Sequence, residues 1–235
     1  MKKLLALFVA FFTLAGYASA TNIADDFRAH YSASSDSSDL SAYNKDINAM
    51  IGVADFHTGK GTTFPGFDIG ATLSAVKPSD KNNITTDDYL YAGFITAETK
   101  IPVLDLGVVV RGTDMNGFQS LGGGLKYHYN LFDTIHLSLA GFYDRGKTDW
   151  YTTDHYSASA VASMNVLFFT PYVGVGYDYG ELKTKNLGAE RSTKDGAVRY
   201  TAGVNVKPFP FVYMFGAYTY TADNHALQGG IGLNF

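Results

Sequence analysis

The sequence predicts an all-β chain: a transmembrane antiparallel up-and-down β-barrel of ten strands, with twelve as the alternative, behind a short N-terminal helical segment. Three observations carry that prediction. Apolar residues alternate with polar or small ones over runs of nine to eleven residues, the period of a strand with two unlike faces. Connections alternate between tight turns and longer polar stretches. Beyond the first twenty residues, no run approaches the roughly 18 apolar residues of a membrane-spanning helix.

The alternation starts at Gly66. Phe67, Ile69, Ala71, Leu73 and Ala75 share one face, and Asp68, Gly70, Thr72 and Ser74 the other. The same reading holds for 104–111, 121–129, 135–144, 173–179, 198–206 and 227–235. Residues 155–165 set Tyr156, Ala158, Ala160, Ala162 and Met164 against a face of mostly serine. Two runs are less clear. Both faces of 89–99 are largely apolar, with Glu98 suggesting the inward one, and the faces of 211–221 cannot be told apart. Strands of this length, tilted, cross a bilayer.

Tight turns are expected at 101–102, 130–133, 167–170 and 207–210. On the opposite side longer loops are expected at 77–88, 112–117, 145–154 and 181–196, with a short one at 222–224. Tyr89, Tyr91, Tyr127, Tyr129, Tyr143, Tyr156, Tyr177, Tyr179 and Phe211 sit at strand ends, where aromatic girdles belong.

Composition narrows the class further. The chain has 235 residues, 17% of them charged, against about 25% for an ordinary soluble domain. Its 17 Tyr, 17 Phe and 25 Gly exclude a solvated disordered chain. Lys2 and Lys3, the apolar run 4–14 and Ala18-Ser19-Ala20 read as a signal peptide over residues 1–20, cleaved before Thr21. Its removal takes two of the 18 basic residues and none of the 22 acidic ones. An acidic exported chain is a poor nucleic-acid binder. With no cysteine there is no disulfide framework and no thiolate metal site.

A signal peptide, amphipathic strands to the last residue and a terminal Phe235 resemble a bacterial outer-membrane β-barrel protein. The resemblance covers about two thirds of the chain, at the level of the class rather than a subfamily. It implies an outer-membrane location and lipid as the surrounding partner. It also implies recognition by the barrel-assembly machinery through Leu227, Gly229, Ile231, Leu233 and Phe235. A soluble β-sandwich would carry charged outer faces, whereas the non-apolar faces here are mostly Gly, Ser and Thr.

Residues 21–65 do not alternate. Ser38-Asp39 can cap a helix, after which Leu40, Tyr43, Ile47, Met50 and Ile51 fall on one helical face. A shorter helix fits 21–31, with a Ser/Asp-rich linker over 32–38 and a loop over 55–65. This segment is expected in the periplasm or as a plug of the lumen, giving domains 1–20, 21–65 and 66–235. In the alternative, 31–40 and 48–56 form two more strands; both chain ends on one side then require twelve.

The inward row contains Asp68, Glu98, Asp105, Arg111, Lys126, His128, His136, Asp144, Asp178 and Arg199. Charges of both signs inside a small barrel form either a mutually satisfied polar core or the lining of a narrow pathway. Glycines at 70, 107, 122, 124, 174, 176, 203, 230 and 232 leave volume for water, a ligand or the N-terminal helix. The expected function is a structural barrel or a narrow pore for a small solute or hydrophobic ligand. The alternative is a surface interaction protein acting through its outer loops.

No catalysis, metal or cofactor is expected. Asp223-Asn224-His225 with Asp87-Asp88 resemble the carboxylate and histidine pairs of omptin proteases, but Asp and His are ordinary loop residues. Asp154, His155 and Ser157 resemble the triad of outer-membrane lipid hydrolases, but alternation along a strand keeps the three from converging. The six histidines show no HxxH or HExxH spacing. Gly122-Gly123-Gly124 lies inside a strand pattern with no helix after it, so it is not a phosphate loop.

Overall fold

The computed structural model describes residues 22–31, 37–62, 64–102, 106–132, 134–188 and 190–235. The strands are β1 (Phe67–Lys77), β2 (Leu90–Ile101), β3 (Leu106–Met115), β4 (Phe118–Leu131), β5 (Ile135–Lys147), β6 (Tyr151–Met164), β7 (Phe169–Thr184), β8 (Ser192–Phe209), β9 (Val212–Thr221) and β10 (His225–Asn234). Each pairs antiparallel with its neighbours in sequence. β1 pairs with β10 from Asp68↔Asn234 to Lys77↔His225, closing a ten-stranded barrel without edges.

Ahead of the strands lie helix α1 (Ile23–His30), helix α2 (Ser37–Gly52) and a 3-10 turn, η1 (Val53–Asp55). The twelve-strand alternative is therefore overturned, because residues 37–40 and 48–55 are helical. Its physical failure lies in the spacing. Leu40, Tyr43, Ile47, Met50 and Ile51 are each at most 3% exposed, and only a helix turns all five to one side. Residues 32–36 of the expected linker lie outside the described residues. Among the described residues no helix is long and apolar enough to cross a membrane.

The end carrying Phe67 and Phe235, where the Phe235 N–H donates to the Phe67 carbonyl at 3.0 Å, is called the inner end. Its turns are short. The outer end differs from expectation, because most of the polar stretches read as loops are hairpin. β5 and β6 pair up to Lys147↔Thr152, and β7 and β8 up to Lys183↔Ser192. Above a bilayer water wets both faces, so alternation fades while the ladder continues. The β3–β4 connection narrows to Asn116 and Gly117, with φ of 54° and 74°, the paired positive values of a two-residue hairpin turn. Residues 78–89 remain a long loop.

The barrel exterior is apolar. Leu121 is 73% exposed, and Leu139 and Val173 are each 60% exposed. Phe67, Tyr127, Tyr129, Phe211 and Phe235 stand exposed towards the inner end, and Tyr89, Tyr143, Tyr156, Tyr177 and Tyr179 towards the outer. Such belts mark two membrane interfaces. On β9, the run whose faces could not be assigned, Tyr213 and Phe215 point inward and are buried. Glycines on β1 and β10 make room for them: a Cβ on Gly70 would lie 2.5 Å from the Tyr213 hydroxyl.

Candidate functional site

The chain enters the barrel from its outer end. Asn22 caps α1, its side-chain oxygen accepting from the N–H groups of Ala24 (2.9 Å) and Asp25 (3.4 Å). The Ile23 N–H donates to the Asn116 carbonyl on the β3–β4 turn at 2.8 Å. Phe27 then packs on the rings of Tyr31, Tyr43 and Tyr151, with centroids 4.8–4.9 Å apart. These residues join Ile47, Met50, Val76, Phe94, Phe118 and Leu182 in an apolar core inside the outer half of the barrel.

Polar contacts fix α2 to the wall around it. The Ser41 hydroxyl donates to Asp195 at 2.6 Å, and the Asn44 amide to the Gly180 carbonyl at 2.9 Å. Asp46 accepts from the Ser79 N–H at 3.2 Å and from the side-chain amides of Asn82 and Asn224. Burial pushes the Asp46 carboxyl up to about 7, against the lowering effect of these donors. Asp223, in the β9–β10 turn, pairs with Lys81 (3.1 Å) and Lys45 (3.4 Å), whose hydrogen bonds hold its carboxyl below the ordinary range.

Below α2 the chain reaches the central charged cluster. Arg111 on β3 donates to both oxygens of Asp144 on β5, at 2.7 and 2.6 Å, and through its remaining Nη1 to Asp55 Oδ1 at 2.8 Å. Arg199 on β8 donates to Asp55 Oδ2 at 2.6 Å and stands 3.2 Å from Asp178. The hydroxyls of Ser157 and Ser159 on β6 donate to Asp55 at 3.1 and 2.6 Å. His155 lies between Asp144, 3.3 Å from Nδ1, and Asp178, 3.4 Å from Nε2. None of the six charged or imidazole groups is more than 2% exposed. Three carboxylates thus face two guanidiniums and one imidazole, which as an imidazolium would balance the charge. Buried ions persist when paired in this way.

Closer to the inner end a second cluster forms on Glu98. It accepts from Lys126 Nζ at 3.0 Å and from the Thr62 hydroxyl at 3.2 Å, with His128 Nε2 at 3.1 Å. His128 Nδ1 meets the Gly59 carbonyl at 3.3 Å. Asp68 accepts from the Tyr213 hydroxyl (2.7 Å) and Asn234 (3.1 Å). The cavity between these groups admits the centre of a water over about 30 Å³, room for about two water molecules.

The structure thus places Arg111, Asp144, Asp178 and Arg199 in one cluster and Glu98, Lys126 and His128 in another. Asp68 lies beside the second. His136 is separate, held between Asn130 and Asn165 at 2.7 and 2.9 Å. Asp105 lies outside the described residues. Inward glycines receive large side chains; a Cβ on Gly174 would meet the Phe56 ring at 2.5 Å. Asp55, which ties the central cluster together, is missing from the sequence reading. It sits in a non-periodic segment, and no local pattern marks it. His155, Ser157 and Ser159 had a signal: they share the inward parity of β6.

On β10, Leu227 is exposed, Ile231 is buried in register with Ala71 and Met214, and Phe235 packs on Phe67 and Phe211 with centroids 5.2 and 5.9 Å away.

Neither catalytic arrangement assembles. Asp223 turns to Lys45 and Lys81, while His225 meets the Tyr218 hydroxyl. Asp154 faces outward and accepts from the Tyr143 hydroxyl at 2.7 Å, while His155 and Ser157 face inward. Both ring nitrogens of His155 face aspartates, which leaves neither to take a proton from Ser157. No cluster of three metal-binding side chains occurs among the described residues.

A closed ten-stranded barrel with an apolar exterior, two aromatic belts and a charged interior defines a class, the membrane-spanning β-barrels. Residues 47–235 match the family described as outer membrane protein beta-barrel domain, and the chain belongs to that family. No curated protein matches it.

Among solved structures, the chain is similar to an outer membrane channel from Pseudomonas putida F1. The identity is 11% and the TM-score 0.54, over 77% of this chain and 100% of that one. It is also similar to the N-terminal β-barrel domain of Pseudomonas aeruginosa OprF (13%, TM-score 0.41, 75% and 100% covered). A third likeness is to Ail, the attachment invasion locus protein of Yersinia pestis (18%, TM-score 0.38, 72% and 97% covered). At these identities the likeness is one of fold.

Proposed function

We propose that this protein is a structural outer-membrane barrel, closed at rest by its own N-terminal segment, through which small solutes pass only when that segment is displaced. One observation carries the reading: the Asp55 carboxylate joins Arg111 and Arg199 across the lumen. The two-water cavity near the inner end supports it, since a steady pore needs a continuous aqueous path. Buried histidine and serine groups without access for a substrate support a non-enzymatic role. The proposal includes export through residues 1–20, which N-terminal sequencing of the membrane-extracted protein tests by reading Thr21 first. It also includes assembly through the β10 terminus ending in Phe235.

The test is conductance in planar bilayers. Refolded full-length mature protein should be silent, while a form lacking residues 21–56 and the Asp55→Asn variant should conduct. Steady conductance of the unaltered protein would sink the closed-barrel reading.

A second reading, a surface interaction protein, is favoured by the build of the outer end. There α1, the start of α2 and the 78–89 loop form a packed structure among extended hairpins. Binding would fall on this helical surface rather than on long loops. Substitution of Arg28 and His30 should then reduce attachment without disturbing the barrel.

A further inference from the structure

The cavity at the inner end has unequal charge accounting. Of its two lining carboxylates, Glu98 is paired with Lys126 and also meets His128 and Thr62, while Asp68 accepts from the neutral Tyr213 and Asn234 and keeps its charge. Two further lysines line it, Lys60 from the N-terminal segment and Lys207 from β8. Among the described residues, neither ammonium has a carboxylate within 4.0 Å. Deeper in the wall, Asn205 is 2% exposed and, among the described residues, no group of the chain donates to its Oδ1. A buried acceptor left unmatched costs free energy until a donor arrives, and exposed Lys60 with half-buried Lys207 sets two positive charges against the single one of Asp68 at this mouth.

We propose that this cavity binds a small protonated oxyanion, hydrogen phosphate, entering from the inner side. Its negative oxygens accept from Lys60 and Lys207, and its remaining O–H donates to Asn205 Oδ1. That donor requirement selects hydrogen phosphate over sulfate, which has no proton to give at neutral pH. The ligand must be small, because the free space is that of about two waters. It would fill that space and bridge the two ammoniums. Lys60 belongs to the N-terminal segment and Lys207 to the barrel wall, so the bound anion links them. Its effect on plug release rests on the closed-barrel reading, but binding itself does not.

The experiment is calorimetric titration of full-length protein, refolded in a phosphate-free maltoside detergent, with inorganic phosphate near pH 6.5 and at low salt. Saturable one-to-one binding is expected, at least tenfold weaker in Lys207→Gln and absent in Lys60→Gln/Lys207→Gln, with sulfate at least fivefold weaker than phosphate. A Lys45→Gln control, changed at the opposite end, should bind as the unaltered chain does. No saturable heat, or binding unchanged in the double variant, overturns the site. Equal binding of sulfate overturns its assignment to a protonated oxyanion. A response to nanodiscs containing phosphatidylglycerol but not to inorganic phosphate would make the source a lipid headgroup and overturn the soluble ligand. Conductance is not read here, so failure of this site and failure of the closed barrel remain separate results.

Discussion

Arg111 and Arg199 stand on β3 and β8, five strands apart in a ring of ten, and hold opposite oxygens of one carboxylate. Strands five apart in such a ring face each other across its diameter. Asp55 therefore acts as a strut between opposite walls, and the strut belongs to a segment that is not itself part of the wall. Packing holds that segment in the outer half of the barrel, and the two ion pairs hold it across the middle of the lumen.

Removing the strut charge should be expensive. Asp55→Ala leaves two buried guanidiniums short of a partner, a change that costs about 3–5 kcal/mol. Thermal unfolding followed by tryptophan fluorescence and tyrosine signals should shift strongly downward. A double change, Asp55→Ala with Arg199→Met, should recover part of the loss, because it removes a stranded charge as well as its partner.

The outer helical core depends on Phe27, fully buried among three tyrosine rings. Phe27→Ala should cost about 3–5 kcal/mol of local stability. The change should appear as faster amide exchange over residues 22–31, with β5 to β8 exchange unchanged. Uniform acceleration across the strands would show that α1 is not a separable unit.

Asp46 should give the helical cap a pH dependence. Its folded carboxyl sits near 7, against an ordinary value of 3.8, so the folded form keeps a proton that the unfolded chain releases. Stability from this group is present below about pH 4, declines as pH rises towards 7, and is flat above it. Protease protection of residues 22–52 should follow that course, and Asp46→Asn, which cannot ionise, should flatten it. Protection that rises with pH in the unaltered protein would contradict the assignment.

Asp223, by contrast, holds Lys45 and Lys81 at a wet surface, and such pairs contribute about 0–1 kcal/mol. Asp223→Ala should leave the melting curve almost unmoved, and any small effect should vanish with added salt.

The strands were legible because two media enforce the alternation: lipid outside rejects polar groups, and the filled lumen accepts them. Glu98, Lys126 and His128 fall in the inward phase of their strands, and the structure brings them to one cluster. The phase of 211–221 was illegible because Tyr213 and Phe215 are apolar yet point inward, into room left by glycines on β1 and β10. Lengthened hairpins at the outer end were illegible for a related reason: with water on both sides, no face needs to be apolar. Asp55 had no signal. Its importance comes from two arginines more than fifty residues away in sequence, and a coil segment has no period to place it.

The described parts of the N-terminal segment, 22–31, 37–62 and 64–66, lead from the outer end to the inner end before β1 begins, inside a ring in which β1 and β10 meet without a connecting turn. Assembly then has two routes. Either the Asp68↔Asn234 to Lys77↔His225 seam zips shut around a segment already laid in place, or a free leading end is drawn through a finished ring. The first requires the strut and the seam to form together. A disulfide that locks the seam before the segment has entered would separate the two routes, since only threading could then complete the molecule.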